Sequence, residues 1–256
     1  MHKNNFKNLL KSKKGIISFA VIIFMIFCLI VANYLSLLLV PVSSNSESVA
    51  SNATELYFLT LSKSQVENEV KVQAEDYQKI GAGGYVWKQN EYFYLVSSVY
   101  YNKNDAVLVK NSIKTNQGLD SEIITVNFPS FKVNGTFSQE EKKVLDKALN
   151  SFYDFYLAIY DVSISLDTHV YNEISARLAV NNAHSTLKNT VDDFNTLFPS
   201  PTGSLTTLST ALNNAVKESE SLCGGTLISK SQTYPSLLKY RYTSVLSLWD
   251  GLTGEE

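Results

Sequence analysis

The chain has 256 residues, 18% of them charged, 45% hydrophobic and 12% aromatic, with a net charge of −2. That balance excludes the strongly basic footprint of a nucleic-acid-binding domain. The charge is unevenly spread. Residues 1–14 hold Lys3, Lys7, Lys11, Lys13 and Lys14 and no acid, and the first acid in the chain is Glu47. Residues 15–42 read GIISFAVIIFMIFCLIVANYLSLLLVPV, uncharged throughout. A helix needs about 20 apolar residues to cross a bilayer core, so this run predicts a transmembrane anchor. The lysines before it predict a cytoplasmic tail at 1–14 and an extracytoplasmic segment at 43–256. A cleaved signal peptide is the rival, with Val49-Ala50-Ser51 its best site. Signal h-regions span about 7–15 residues and end at a small-x-small site, whereas this run is longer and closes at Pro41-Val42.

Beyond the anchor, 17 basic residues stand against 24 acidic ones, a charge of about −7. An anionic membrane surface would not attract such a domain. Cys28 lies in the apolar run and Cys223 stands alone outside it, so packing and not a disulfide must hold the exported part together.

Residues 43–54 are small and polar and read as a spacer. Leu56, Leu59, Val66, Val70 and Tyr77 suggest a membrane-proximal amphipathic helix over 56–78, so that 43–80 forms a spacer and helix. Gly81-Ala82-Gly83-Gly84 then breaks the chain. It reads as a turn into a sheet, because a phosphate-binding loop would need a strand before it and a helix after. Tyr85-Val86-Trp87 and Tyr92 to Tyr100 predict two strands joined by a turn at Lys88 to Glu91. Strict alternation puts Tyr92, Tyr94, Val96, Ser98 and Tyr100 on one face of the second strand. Asn102 caps a helix carrying Ala106, Val109 and Ile113, Gly118 stops it, and Glu122 to Val126 forms the next strand. Strand, helix, strand predicts a βαβ unit with parallel strands.

The stretch YLVSSVYYNKNDAVLVKNSIKTNQGLDSEIITV resembles the first half of a SPOR (sporulation-related) domain. The resemblance rests on the hydrophobic strand, the Asn-Lys-Asn-Asp-Ala helix start, the apolar helix stripe and the Gly before the second strand, within residues 85–126. It implies a small βαββαβ envelope module that binds peptidoglycan glycan strands stripped of stem peptides. The family often carries Gln and then Gly in the first strand, and Val96 and Ser98 stand there instead.

Residues 136–256 read as helical. Ser138 and Glu141 have capping-box spacing ahead of a helix over 139–166. Further apolar stripes mark helices from Tyr171 to Phe194, Leu205 to Leu222 and Ser236 to Trp249. The expected fold is therefore α+β: an N-terminal transmembrane helix, a small SPOR-like βαβ-containing sheet unit at 81–135, and a C-terminal four-helix region.

Catalytic signals are sparse. His169 and His184 have no metal-ligand spacing, no nucleophile elbow occurs, and Glu140-Glu141 and Asp192-Asp193 read as solvated helix faces. No enzyme activity, metal or cofactor is expected. The candidate site is an aromatic platform of Trp87, Tyr92, Tyr94 and Tyr100 for sugar rings, against the alternative that these residues pack under the helices. The sequence thus predicts a single-pass bacterial envelope protein, integral to the membrane, binding peptidoglycan glycan or a septal or sporulation partner. The alternative is a non-catalytic envelope scaffold with a degenerate SPOR-like fold, and Val96 and Ser98 favour it.

Overall fold

A computed structural model describes residues 47–224 and 232–253. The predicted tail at 1–14 and the apolar run at 15–42 lie outside the described residues. Among the described residues no helix is long and apolar enough to cross a membrane. The expected fold is corrected in its membrane helix, which no described helix supplies, and in its βαβ unit, whose two strands are not neighbours. The described chain is an α+β unit of six helices and two small sheets, and every strand pairing in it is antiparallel.

The smaller sheet pairs β1 (Glu47–Ala50) with β6 (Lys132–Gly135), so part of the predicted spacer is a strand. The predicted helix over 56–78 is in fact two elements, β2 (Thr54–Ser64) and α1 (Glu67–Lys79). The physical reason is that β2 is an inner strand. Leu56, Phe58 and Leu59 are all buried, so its apolar residues do not alternate and their spacing imitates a helix. Ser64 ends the strand. Its Oγ accepts the Val66 N–H at 3.0 Å and donates to the Glu69 carboxylate at 2.5 Å, which starts α1.

β3 (Tyr85–Gln89) and β4 (Tyr92–Tyr100) form a hairpin with Asn90 left-handed at φ 54°. In α2 (Lys103–Gln117) the Asn102 side chain accepts the Asn104 N–H at 2.9 Å, and Gly118 closes the helix at φ 67°. β5 (Glu122–Phe128) follows. The larger sheet has the order β3-β4-β2-β5. β4 and β5 therefore do not pair as a parallel βαβ unit, because β2 lies between them and runs antiparallel to both. The elements from β2 to β5 run βαββαβ. The segment from β4 to β5 is the second half of that unit and not its first.

The expected alternation along β4 also fails. Its pairing with β2 shifts between Leu59 and Thr60 and again between Thr60 and Ser62. An extra residue in one strand reverses which way the following side chains point. Val99 pairs with Phe58 and Tyr100 with Tyr57, whereas Tyr94 pairs with Trp87. The Phe58 and Trp87 rings touch at 4.7 Å, so Val99 and Tyr94 share a face and Tyr100 lies on the other.

The helical half contains α3 (Gln139–Asp167), α4 (Glu173–Leu197), α5 (Ser204–Cys223) and α6 (Tyr234–Thr253). Ser138 and Glu141 close a reciprocal capping box at the start of α3. Each helix packs on the next, and α6 returns to α3. Leu145, Leu149, Phe152, Val191, Phe194, Leu208, Leu212, Val245 and Leu246 fill the interior of this four-helix bundle. The described residues all belong to one compact unit that begins at Glu47.

Candidate functional site

The two faces of the larger sheet are covered differently. On one, α1 lays Val70 and Ala74 against Leu95, with Leu61, Tyr77, Val86 and Phe93 around them. On the other, Phe58, Trp87 and Phe128 form an aromatic cluster, with ring centroids 4.7, 6.2 and 6.4 Å apart. The Trp249 ring of α6 stacks on Phe128 at 4.6 Å. Gln89 Nε2 donates to the Thr125 carbonyl at 3.3 Å, so the two outer strands are tied across this concave face.

The predicted platform is therefore divided. Trp87 is 3% exposed, inside the cluster, and Tyr100 is 4% exposed. The Tyr100 hydroxyl accepts a hydrogen bond from Ser98 Oγ at 2.8 Å, its ring meets Tyr160 at 6.0 Å, and burial pushes its phenol up to about 12. Tyr92 is 38% exposed and Tyr94 half-buried, with rings 6.3 Å apart and Lys63 Nζ 5.8 Å from the Tyr92 ring. Only this pair at the rim is placed to meet a ligand.

The residues that join sheet to bundle escaped the sequence reading. β3 pairs with β4 only as far as Val96, which leaves the edge at Val99 without a strand partner on that side. Two tyrosines take its place. The Val99 N–H donates to the Tyr242 hydroxyl at 3.1 Å, and the Tyr156 hydroxyl donates to the Val99 carbonyl at 3.2 Å. Burial raises both phenols above the ordinary tyrosine range. These hydroxyls satisfy the buried backbone of Val99.

The glycine turn has a structural use as well. Gly83 N–H donates to Ser97 O at 2.7 Å and Gly84 N–H to Val96 O at 2.9 Å. Ser236 Oγ donates to Ala82 O at 2.5 Å, and Lys239 Nζ reaches Gly81 O at 3.0 Å while pairing with Asp167 at 2.7 Å. A Cβ on Gly83 would stand 3.1 Å from the Lys239 backbone, so glycine there lets α6 approach.

One Ser–His contact looks catalytic at first. His184 Nδ1 lies 2.7 Å from Ser219 Oγ. That hydroxyl donates its proton to Val216 O at 2.7 Å, so the imidazole is the donor to Ser219. A base that activates a serine needs the opposite polarity. Of the predicted solvated carboxylates, Glu141 serves the capping box, which holds its carboxyl below the ordinary range, and Asp192 pairs with Lys188 at 2.5 Å. Among the described residues no group of three or more His, Cys, Asp or Glu could hold a metal ion.

Compared with protein-family models, curated proteins and solved structures, the chain matches none.

Proposed function

We propose that the protein is a non-catalytic protein–protein scaffold of the bacterial cell envelope, located at the membrane with residues 43–256 on the outer side. The lysine bias ahead of the apolar run supports this location. The observation that carries the scaffold reading is the filled concave face. Trp249 stacks on Phe128, and Trp87 is sealed beneath, so the sheet surface that would read sugar rings supports the bundle instead. The βαββαβ order from β2 to β5 supports the SPOR resemblance in topology alone, and a fold of this kind hosts many functions.

A glycan-binding reading keeps one observation in its favour, the exposed Tyr92 beside Tyr94 and Lys63. Co-sedimentation of the full chain in detergent with sacculi, amidase-treated and untreated, separates the two. The scaffold reading expects no binding to either preparation. Binding that rises with removal of stem peptides and disappears in a folded Tyr92→Ala/Tyr94→Ala variant overturns it in favour of glycan recognition.

A further inference from the structure

α3 and α4 leave a groove between them. Two hollows of about 130 and 350 Å³ share Ala158, Ala183 and Thr186, and so run together. The groove extends from Lys147 to Ser165 on α3, about 27 Å at the helical rise. The groove residues on α4 are uncharged. The α3 lip carries Asp154 and Asp161, and neither has an ion-pair partner among the described residues. The one cation in the lining, Lys147, stands at the far end and pairs with Asp193 at 3.7 Å. Burial and the neighbouring Asp146 push the Asp154 carboxyl above its ordinary range, so a cation beside it is favoured. Both walls are helices whose backbone groups are bonded within themselves. An occupant buried there must bring its own satisfied backbone, which a helix does.

One helix of this chain has the matching face. α2 turns Val107, 38% exposed, and Leu108, 67% exposed, away from the sheet. Lys103, Lys110 and Lys114 fall in one row beside them, and Asp105, the one acid of α2, falls on the opposite flank. Lys114 is taken by Asp120 at 2.6 Å. Lys103 rests over the Tyr57 ring of its own copy at 5.9 Å, and neither it nor Lys110 pairs with an acid among the described residues. Lys103 and Lys110 are seven residues apart, and so are Asp154 and Asp161. Each pair therefore spans two helical turns, about 10.5 Å. Within one copy α2 packs on β2, β4 and β5 while α4 packs on α3 and α5, so only a second copy brings this helix to the groove.

We infer that α2 of one copy docks in the α3–α4 groove of the next, with Lys103 and Lys110 against Asp154 and Asp161 and Leu108 over Ala158 and Ala183. The contact joins two different surfaces, so it propagates instead of closing as a dimer. One seated helix falls short of the roughly 1,200–2,000 Å² buried in a stable soluble complex, so confinement of the copies to one membrane must support it. The inference names a second copy as a partner for the scaffold reading and rests on the membrane location proposed there.

The test is thiol cross-linking of the full chain in vesicles of phosphatidylethanolamine and phosphatidylglycerol, with Cys28→Ser and Cys223→Ser as background. Leu108→Cys chains mixed with Thr186→Cys chains and treated with a short bismaleimide should link to each other and not to themselves. A chain carrying both cysteines should give a ladder of dimers, trimers and longer products. Asp154→Lys/Asp161→Lys on the Thr186→Cys chain should cut the mixed product about tenfold. Lys103→Glu/Lys110→Glu on the Leu108→Cys chain should then restore it, which a misfolded variant could not do. No mixed product, self-linking of the single variants, or a mixed product indifferent to charge reversal overturns the inference. Flotation of the vesicles reads membrane insertion separately. A chain that floats without linking sinks the contact alone, and one that links without floating sinks the location alone.

Discussion

The larger sheet is covered on both faces, but by layers of unequal depth. The α1 and α2 layer is thin. α1 buries Val70, Ala74 and Gln78, α2 buries only Ala106, and Leu108 of α2 is left 67% exposed. The bundle layer is thick, with eleven buried residues in α3 and ten in α6, and it reaches the sheet through ring stacking and two tyrosine hydroxyls. A βαββαβ unit standing alone would offer the second face to a ligand. Here that face belongs to the core, so recognition is left to edges, rims and outer grooves. The difference also says where stability resides, and it can be broken experimentally.

Trp249→Ala attacks the thick side directly. Truncating a buried large aromatic costs about 3–5 kcal/mol, and because Trp249 touches both halves the loss should appear in one cooperative urea transition. Two separate transitions, followed by far-UV circular dichroism and by fluorescence of the remaining Trp87, would show that sheet and bundle are independent. Tyr242→Phe keeps the ring and removes the acceptor of the Val99 N–H. An unsatisfied buried donor costs about 1–3 kcal/mol, and hydrogen exchange at the Val99 amide should rise with it.

The buried phenols give the comparison a pH signature. Tyr100 is held up to about 12, chiefly by burial, and burial raises Tyr156 and Tyr242 as well. In the unfolded chain these groups ionise near pH 10. Above that pH unfolding releases protons, so their contribution is full below pH 10 and declines as pH rises toward 12 and beyond. The expected slope is about 1.4 kcal/mol per pH unit for each such tyrosine. Urea midpoints measured from pH 8 to pH 11 check it, and a flat profile would contradict the burial of these hydroxyls. Smallest of all is Leu108→Ser on the thin side. A surface change of this kind stays within about 0.5 kcal/mol, and a larger loss of the urea midpoint would mean that α2 is covered in solution.

Local chemistry made much of this legible beforehand. The Ser138 box starts α3 at Gln139, and Asn102 and Gly118 bracket α2, because caps are short-range devices written in adjacent residues. β2 is not legible as a strand because an inner strand buries both faces and loses the period that distinguishes it from a helix. The extra residue in β4 at Ser97 is invisible, since no glycine marks it, and it separates Tyr100 from Tyr94. The candidate platform dissolved for the same kind of reason. Trp87 is sealed in a cluster with Phe128, on which Trp249 stacks from 121 positions further along the chain, and no local pattern encodes that meeting.

The clasp on Val99 has a consequence for the order of events during synthesis. Tyr156 lies 57 residues after Val99, and Tyr242 lies 143 residues after it. At about 5–20 residues per second, the strand waits on the order of ten seconds for its last partner to leave the ribosome. During that interval β4 carries an uncapped inner edge beside a run of tyrosines and valines. The nascent chain is therefore most open to misassembly just before its C-terminal helix appears, and truncation ahead of Tyr242 should leave a product that aggregates.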